Sequence, residues 1–290
     1  MPNVFRRTTK EEFLHPVMSY VLPLIAFEGN NGKVLGTCVL LSSYFAITAK
    51  HVVEGIYKYF NFDFQKDQAI NLDLYIPQFN SDCVWYVSQV FAWSGTDIAF
   101  LKLHPRNKLA EEFTAQLIRV TVDTPAVGTE ITALGYPNSE IIINRNDSEV
   151  TDLKLAVNPT VSTGHVLDIY HPKRDSSKSG NFPCFSVETK FARGMSGGAV
   201  FNDRKELCGV ICRGGDGGLE NYSIVADIWP SMIIKMKFNS ADYLPKGLEA
   251  HKEYSILELA RSGYLNISGN EKIEFFKHEN GSDGVRRKHY

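Results

Sequence analysis

Short apolar or alternating stretches, broken by turn-forming residues, run through most of the chain. Tyr20 to Glu28, Val34 to Ser42 and Phe45 to Thr48 read as strands, with turn signals at Asn30-Asn31-Gly32 and Ser42-Ser43. Further strands are predicted at Leu72 to Ile76, Trp85 to Phe91, Ile98 to Leu103, Gln116 to Val120 and Glu130 to Leu134. Thr160 to Tyr170, Phe182 to Glu188, Gly198 to Phe201, Cys208 to Cys212 and Tyr222 to Val225 complete the series. Ala49 to Gly55 leaves room for a single helical turn. Many short strands with few helical periods predict an all-β barrel or sandwich.

The two ends differ from this pattern. Residues 1–19 read as an N-terminal extension, polar and weakly ordered at first, in which Thr8 or Thr9 is placed to cap a short helix ahead of Glu11 or Glu12. Residues 236–290 read as a small helix-plus-hairpin appendage. Leu244-Pro245-Lys246-Gly247 is its connector, Leu248 to Ser262 its helix, and Tyr264 to Ile267 with Lys272 to Phe276 its hairpin around Ser268-Gly269-Asn270. Its role is either to stabilise the main domain or to dock a partner or gate the site. Asn144 to Asp152 and His171 to Asn181 are polar and predicted to be exposed loops.

A hydrophobic content of 43% is enough for a core, and 12% aromatics lean towards β structure. The formal net charge of -2 implies no broad attraction to nucleic acid or to a membrane surface. Arg286-Arg287-Lys288-His289 reads as a short solvated basic tail. No run approaches the ~20 apolar residues of a membrane helix. Met1 to Lys10 leads into a mixed stretch, so no secretory signal is expected. Cys38, Cys83, Cys184, Cys208 and Cys212 make an odd count. In one strand, Cys208 and Cys212 would have Cα atoms about 13 Å apart, too far to bridge. Reduced thiols and a cytoplasmic protein are therefore expected. No cysteine-histidine set has zinc-finger spacing, and neither a metal nor a cofactor is anticipated.

The chemistry centres on Gly194-Met195-Ser196-Gly197-Gly198. Glycines around a serine allow a tight turn that displays the hydroxyl and aims backbone N–H groups at a developing negative charge. Taken alone, the stretch is equally a turn without chemistry. Two other residues change that reading. His51 follows the Phe45 to Thr48 strand, and Asp97 precedes the apolar run Ile98 to Leu101. A serine needs a base to take its proton, and the base needs a carboxylate to hold its tautomer and stabilise the imidazolium. All three types stand at strand edges, in the order His, Asp, Ser.

With these residues the chain resembles the chymotrypsin/trypsin-like serine peptidases, in the intracellular style of the HtrA/Deg proteases. Gly36-Thr37-Cys38-Val39 through Thr48-Ala49-Lys50-His51 is similar to the family's histidine region without a gap. Thr96-Asp97-Ile98-Ala99-Phe100-Leu101-Lys102-Leu103, Gly135-Tyr136-Pro137, Arg193-Gly194-Met195-Ser196-Gly197-Gly198 and Cys208-Gly209-Val210-Ile211 resemble further family elements in the same order. The resemblance implies two antiparallel six-stranded β-barrels over residues 20–235, with a boundary near 105–125. It implies Ser196 as nucleophile, His51 as general base and then acid, Asp97 as its orienter, and an oxyanion hole made by the N–H groups of Gly194 and Ser196.

Departures from the family pattern carry information too. Val52 and Gly36 stand where secreted members have half-cystines. Met195 stands where zymogen-activated members have the aspartate that pairs with a new amino terminus, so activity is expected to be constitutive or switched by loops or a partner. No PDZ-like extension is recognised. The resemblance implies a primary specificity pocket with Lys190 at its base and Cys212, Arg213 and Gly214 on one wall. Lys190 disfavours cleavage after Arg or Lys, and with Arg213 it favours an acidic or polar side chain; the alternative is that both point into solvent. The expected function is a serine endopeptidase acting on a protein or peptide substrate, in regulated processing of a specific partner such as a bacterial stress or defence effector. A regulatory protein partner is expected, and no nucleic-acid or membrane partner. The alternatives are a catalytically silent protease-like binding module and a general quality-control protease. An α/β-hydrolase esterase orders its triad differently and alternates strands with helices.

Overall fold

The computed structural model describes residues 4–28, 31–59, 73–79, 81–113, 118–146, 149–172, 181–214 and 222–288. The chain begins with β1 (Val4–Arg7) and α1 (Lys10–Phe13). The Glu12 N–H donates to the Thr9 hydroxyl, and the Thr9 N–H donates to the Glu12 carboxylate, a capping box that starts the helix. Residues 4–13 form regular elements where weak order was expected. β1 pairs antiparallel with residues 160–163, and a distant strand satisfies its backbone where local composition gives no hint.

Next come β2 (Val21–Glu28), β3 (Asn31–Leu40), β4 (Phe45–Ala49), α2 (Lys50–Tyr59), β5 (Asp73–Gln78), β6 (Cys83–Ala92) and β7 (Ile98–Pro105). The six strands close into an antiparallel barrel in the order β2-β3-β4-β7-β6-β5. From Cys83 to Val90, β6 alternates buried with half-buried positions, as a half-covered strand should. β4 is buried throughout. Both of its faces are covered, since Phe45 also packs against Phe238 from the C-terminal segment, ring centroids 6.0 Å apart. The helix α2 spans ten residues, not the single turn expected.

α3 (Lys108–Glu112) and β8 (Val120–Thr121) lead to the second barrel. Its chain continues through β9 (Glu130–Gly135), β10 (Glu140–Asn146), β11 (Glu149–Ala156), β12 (Thr160–Tyr170), β13 (Cys184–Val187), β14 (Ala199–Phe201), β15 (Leu207–Arg213) and β16 (Ser223–Asp227). The ring β9-β12-β13-β16-β15-β14 is closed by pairing of β14 with β9 and β15. Ile131, Ala133, Phe185, Val187, Val200 and Val225 fill it. Of the expected loop Asn144 to Asp152, residues 147–148 lie outside the described residues and the rest belong to the paired strands β10 and β11, whose flanks Glu140 to Ile143 and Leu153 to Ala156 pair in register. Of the second expected loop, residues 173–180 lie outside the described residues, as do residues 114–117 at the start of the expected Gln116 strand.

The C-terminal segment holds β17 (Lys235–Lys237), β18 (Glu253–Ser255), α4 (Ile256–Arg261), β19 (Ile267–Ser268), β20 (Ile273–Lys277) and β21 (Asp283–Arg287). The helix starts at Ile256 rather than Leu248, because Ser255 and Glu258 form a capping box there. The hairpin is β20–β21, not the expected one around Gly269. Gly269 begins a short 3-10 turn, while Ile267 and Ser268 pair in parallel with Val120 and Thr121. Asn280-Gly281, the true hairpin signal, was present in the sequence. The basic tail is not simply solvated either. Arg286 pairs with Glu274, and Arg287 and Lys272 both reach Asp123 in the linker between barrels, at 3.1 and 2.7 Å. All five cysteines are buried, and none of them forms a disulfide. Among the described residues, no helix is long and apolar enough to cross a membrane.

Candidate active site

Asp97 precedes β7 and closes the start of α2. Its backbone carbonyl accepts from the Lys50 N–H at 2.9 Å, and its carboxylate Oδ1 accepts from the His51 N–H at 3.0 Å. First-turn amides have no partner within a helix, so this carboxylate caps α2 and fixes the position of His51. Its other oxygen, Oδ2, lies 2.7 Å from His51 Nδ1. A carboxylate only accepts, so the imidazole carries its proton on Nδ1 and leaves Nε2 as an acceptor. Asp97 is buried, whereas the His51 ring is 43% exposed and open to a ligand. The Cys212 thiol faces the same carboxylate. Burial, and then the Asp97 charge, push that thiol well above its ordinary pKa.

Ser196 sits at the turn between residues 193 and 198. Gly194 and Gly197 have φ of +97° and +86°, which L side chains resist. A Cβ on Gly197 would also meet Thr37 O at 2.0 Å and Thr48 Oγ1 at 2.2 Å. Hydrogen bonds to neighbouring segments hold the turn, among them Asn138 N–H to Arg193 O at 3.3 Å, Thr37 Oγ1 to Gly194 O at 2.9 Å, Thr37 N–H to Ser196 O at 2.8 Å, and Gly197 N–H to Ile211 O at 2.8 Å. The Thr37 hydroxyl in turn accepts from the Tyr136 N–H at 3.0 Å. Met195 is fully buried in the core of the second barrel. An apolar plug and neutral hydrogen bonds thus occupy the place of an ion pair. The carbonyls of residues 193, 194 and 196 are all engaged, while the N–H groups of Gly194 and Ser196 meet no acceptor among the described residues. Two free, fixed donors beside one hydroxyl can receive an oxyanion.

His51 borders two cavities. One, of about 490 Å³, is shared with Tyr136, Asn138, Arg193, Gly194 and Ser196. The other, of about 340 Å³, is bordered by Lys50, Thr96, Asp97, Cys212 and Arg213. Ser196 and His51 therefore face one space, but the Ser196 hydroxyl donates to Cys212 O at 3.3 Å rather than to the imidazole. Apo hydrogen bonds of this kind often tighten only with substrate. Of the anticipated specificity residues, Cys212 and Arg213 line the smaller cavity. Gly214 lies so close to the opposite wall that a Cβ would meet Phe191 O at 1.9 Å. Lys190 is exposed and borders neither cavity, and its carbonyl accepts from Ser162 Oγ at 2.9 Å. Thr37 was legible only as part of a motif; its role needs the second barrel.

The family profile for a trypsin-like peptidase domain matches residues 36–210. No curated protein matches the chain. Among solved structures, the HtrA-type protease AlgW with a decapeptide is 15% identical and has a TM-score of 0.51, with 76% of this chain and 64% of that one covered. The Rv3671c protease of M. tuberculosis in its active form is 14% identical with a TM-score of 0.48, covering 77% of this chain and 83% of that one. Its inactive form is 13% identical with a TM-score of 0.47, covering 73% and 85%. At such identities the likeness concerns the fold alone.

Proposed function

The chain belongs to the trypsin-like peptidases, and from that premise we propose that it is a serine endopeptidase working through Ser196, His51 and Asp97. The observation that carries this reading is the Asp97–His51 pair facing, across one cavity, a serine flanked by two unengaged backbone N–H groups. Once its hydroxyl turns to His51 Nε2, Ser196 loses its proton to the imidazole and attacks the scissile carbonyl. Asp97 stabilises the imidazolium, and the N–H groups of Gly194 and Ser196 receive the oxyanion. His51 then protonates the leaving amine and later activates the water that cleaves the acyl-enzyme.

Regulated processing of a specific protein is the role that suits a nucleophile parked on Cys212 O and pocket walls in contact at Gly214. Substrate or a regulatory partner would supply the turn of the hydroxyl and part the walls. Five buried cysteines outside disulfides favour a reducing compartment, and a cytoplasmic setting belongs to the proposal. Arg213 on the smaller cavity favours an acidic substrate side chain, whereas Lys50 there is paired with Glu54 at 3.4 Å and exposed Lys190 takes no part. A fluorogenic peptide library tests this together with fluorophosphonate labelling. Cleavage of peptides carrying Asp or Glu is expected, with the preference lost in Arg213→Ala. Folded protein that neither cleaves nor labels at Ser196, with or without candidate partners, would remove the proposal.

Thr37 follows from the same mechanism as a positioning residue. Thr37→Val keeps the shape but leaves Gly194 O and the Tyr136 N–H without a partner, so the oxyanion donors lose their anchor. kcat should fall by about 10²–10³, the cost of losing one oxyanion donor, with KM little changed. A raised KM at unchanged kcat would contradict this role.

A further inference from the structure

The side chains of His51, Asp97 and Cys212 stand far apart in sequence, yet each offers a metal-ligating atom within 4.8 Å of the other two. Nitrogen, oxygen and sulfur donors of this kind form tetrahedral zinc sites with bonds of about 2.0–2.3 Å, which puts ligand atoms roughly 3.3–3.6 Å apart. His51 Nδ1 and Asp97 Oδ2, now at 2.7 Å, would have to part by about half an ångström. The sulfur would have to close in by at most about 1.2 Å. The smaller cavity, bordered by all three residues, gives an entry path and room for a fourth ligand such as water.

We propose that His51 Nδ1, an Asp97 carboxylate oxygen and Cys212 Sγ form a binding site for a thiophilic divalent cation, Zn²⁺ foremost. The charges balance: one dication, one thiolate and one carboxylate sum to zero, a combination that tolerates burial. Binding displaces the Cys212 proton to solvent, against the burial and the Asp97 charge that hold it on the sulfur. Lys50, paired with Glu54 at 3.4 Å, and Arg213 also border the cavity, and the Arg213 charge opposes a hydrated dication, which favours an ion that gains a thiolate bond. That selects Zn²⁺ or Co²⁺ over Mg²⁺ and Ca²⁺. The consequence for catalysis rests on the peptidase reading. A metal on Nδ1 moves the imidazole proton to Nε2, which can then no longer accept the proton of Ser196, so the bound ion inhibits.

The test uses the full chain, stripped of metal and titrated with Co²⁺. A near-ultraviolet thiolate-to-cobalt band, at one ion per chain and displaced by Zn²⁺ but not by Mg²⁺ or Ca²⁺, is the expected result. Cys212→Ser should remove the band and weaken Zn²⁺ binding by more than the about 10–100-fold that an outer-shell partner is worth. Cys212→Ala serves if the serine variant does not fold. Absence of the band, or a band unchanged in the folded variants, overturns the site. Cobalt binding is read without any turnover, so an inactive protein would refute the peptidase reading and leave the site intact. A bound ion that does not slow fluorophosphonate labelling of an otherwise reactive Ser196 overturns the inhibitory consequence.

Discussion

Ser196→Ala and His51→Ala are each expected to lower kcat by about 10⁴–10⁶, and the double replacement to add little. On the proposed mechanism these two groups act in one proton transfer. Without the base, the hydroxyl is a poor nucleophile near neutral pH; without the hydroxyl, the base has nothing to activate. What survives comes from the oxyanion donors and from substrate binding, neither of which needs the removed groups. Asp97 acts one step back. It holds His51 at Nδ1 and at the backbone N–H, so Asp97→Asn should cost about 10⁴ through the wrong tautomer and a weakened start of α2. Single-turnover kinetics on the best library peptide would measure these ratios. Multiplicative losses in the double variant would mean that His51 and Ser196 act separately, and the mechanism would fail.

Gly197→Ala should destabilise the fold by about 3–5 kcal/mol, the sum of a left-handed backbone penalty and an overpacking penalty. At φ +86° the added methyl would press on Thr37 O and Thr48 Oγ1, both fixed by their own hydrogen bonds. Neither can retreat without opening the junction where β3 and β4 meet the nucleophile turn. Gly128 is the control. It has a φ of +83° but open space around its missing Cβ, so Gly128→Ala carries the backbone penalty alone, about 1–3 kcal/mol. Urea unfolding of both variants separates clash from strain. Equal midpoints would mean that the close approach at Gly197 is not a packing constraint. In any Gly197→Ala protein that still folds, labelling of Ser196 should be lost before secondary structure is.

Strand after strand was legible, because side-chain alternation and β-branched runs are properties of a few neighbouring residues. Ile98–Pro105 and Cys83–Ala92 could be read from their own sequences. The failures share a cause. β1 needs β12 for its hydrogen bonds, and β19 needs β8, so neither announces itself locally. The start of α2 was only partly legible, because Asp97, brought from the turn before β7, caps it. The C-terminal hairpin was misplaced by one turn because Ser268-Gly269-Asn270 and Asn280-Gly281 are similar signals, and pairing with Val120 decided between them.

By itself, the sequence determined the kind of protein this is: an all-β chain whose His51, Asp97 and Ser196 each lie in a recognisable local setting. Local settings suffice there because the turn, the helix start and the strand edge are each built from a few adjacent residues. The tertiary structure alone decided how those settings meet. It turned the Ser196 hydroxyl towards Cys212 O, left Lys190 exposed, tied the Gly194–Gly198 turn to Thr37 across the two barrels, and set a thiol against the His51–Asp97 pair. These are contacts between residues far apart in the chain, set by how two closed barrels pack, and no spacing along the sequence encodes them.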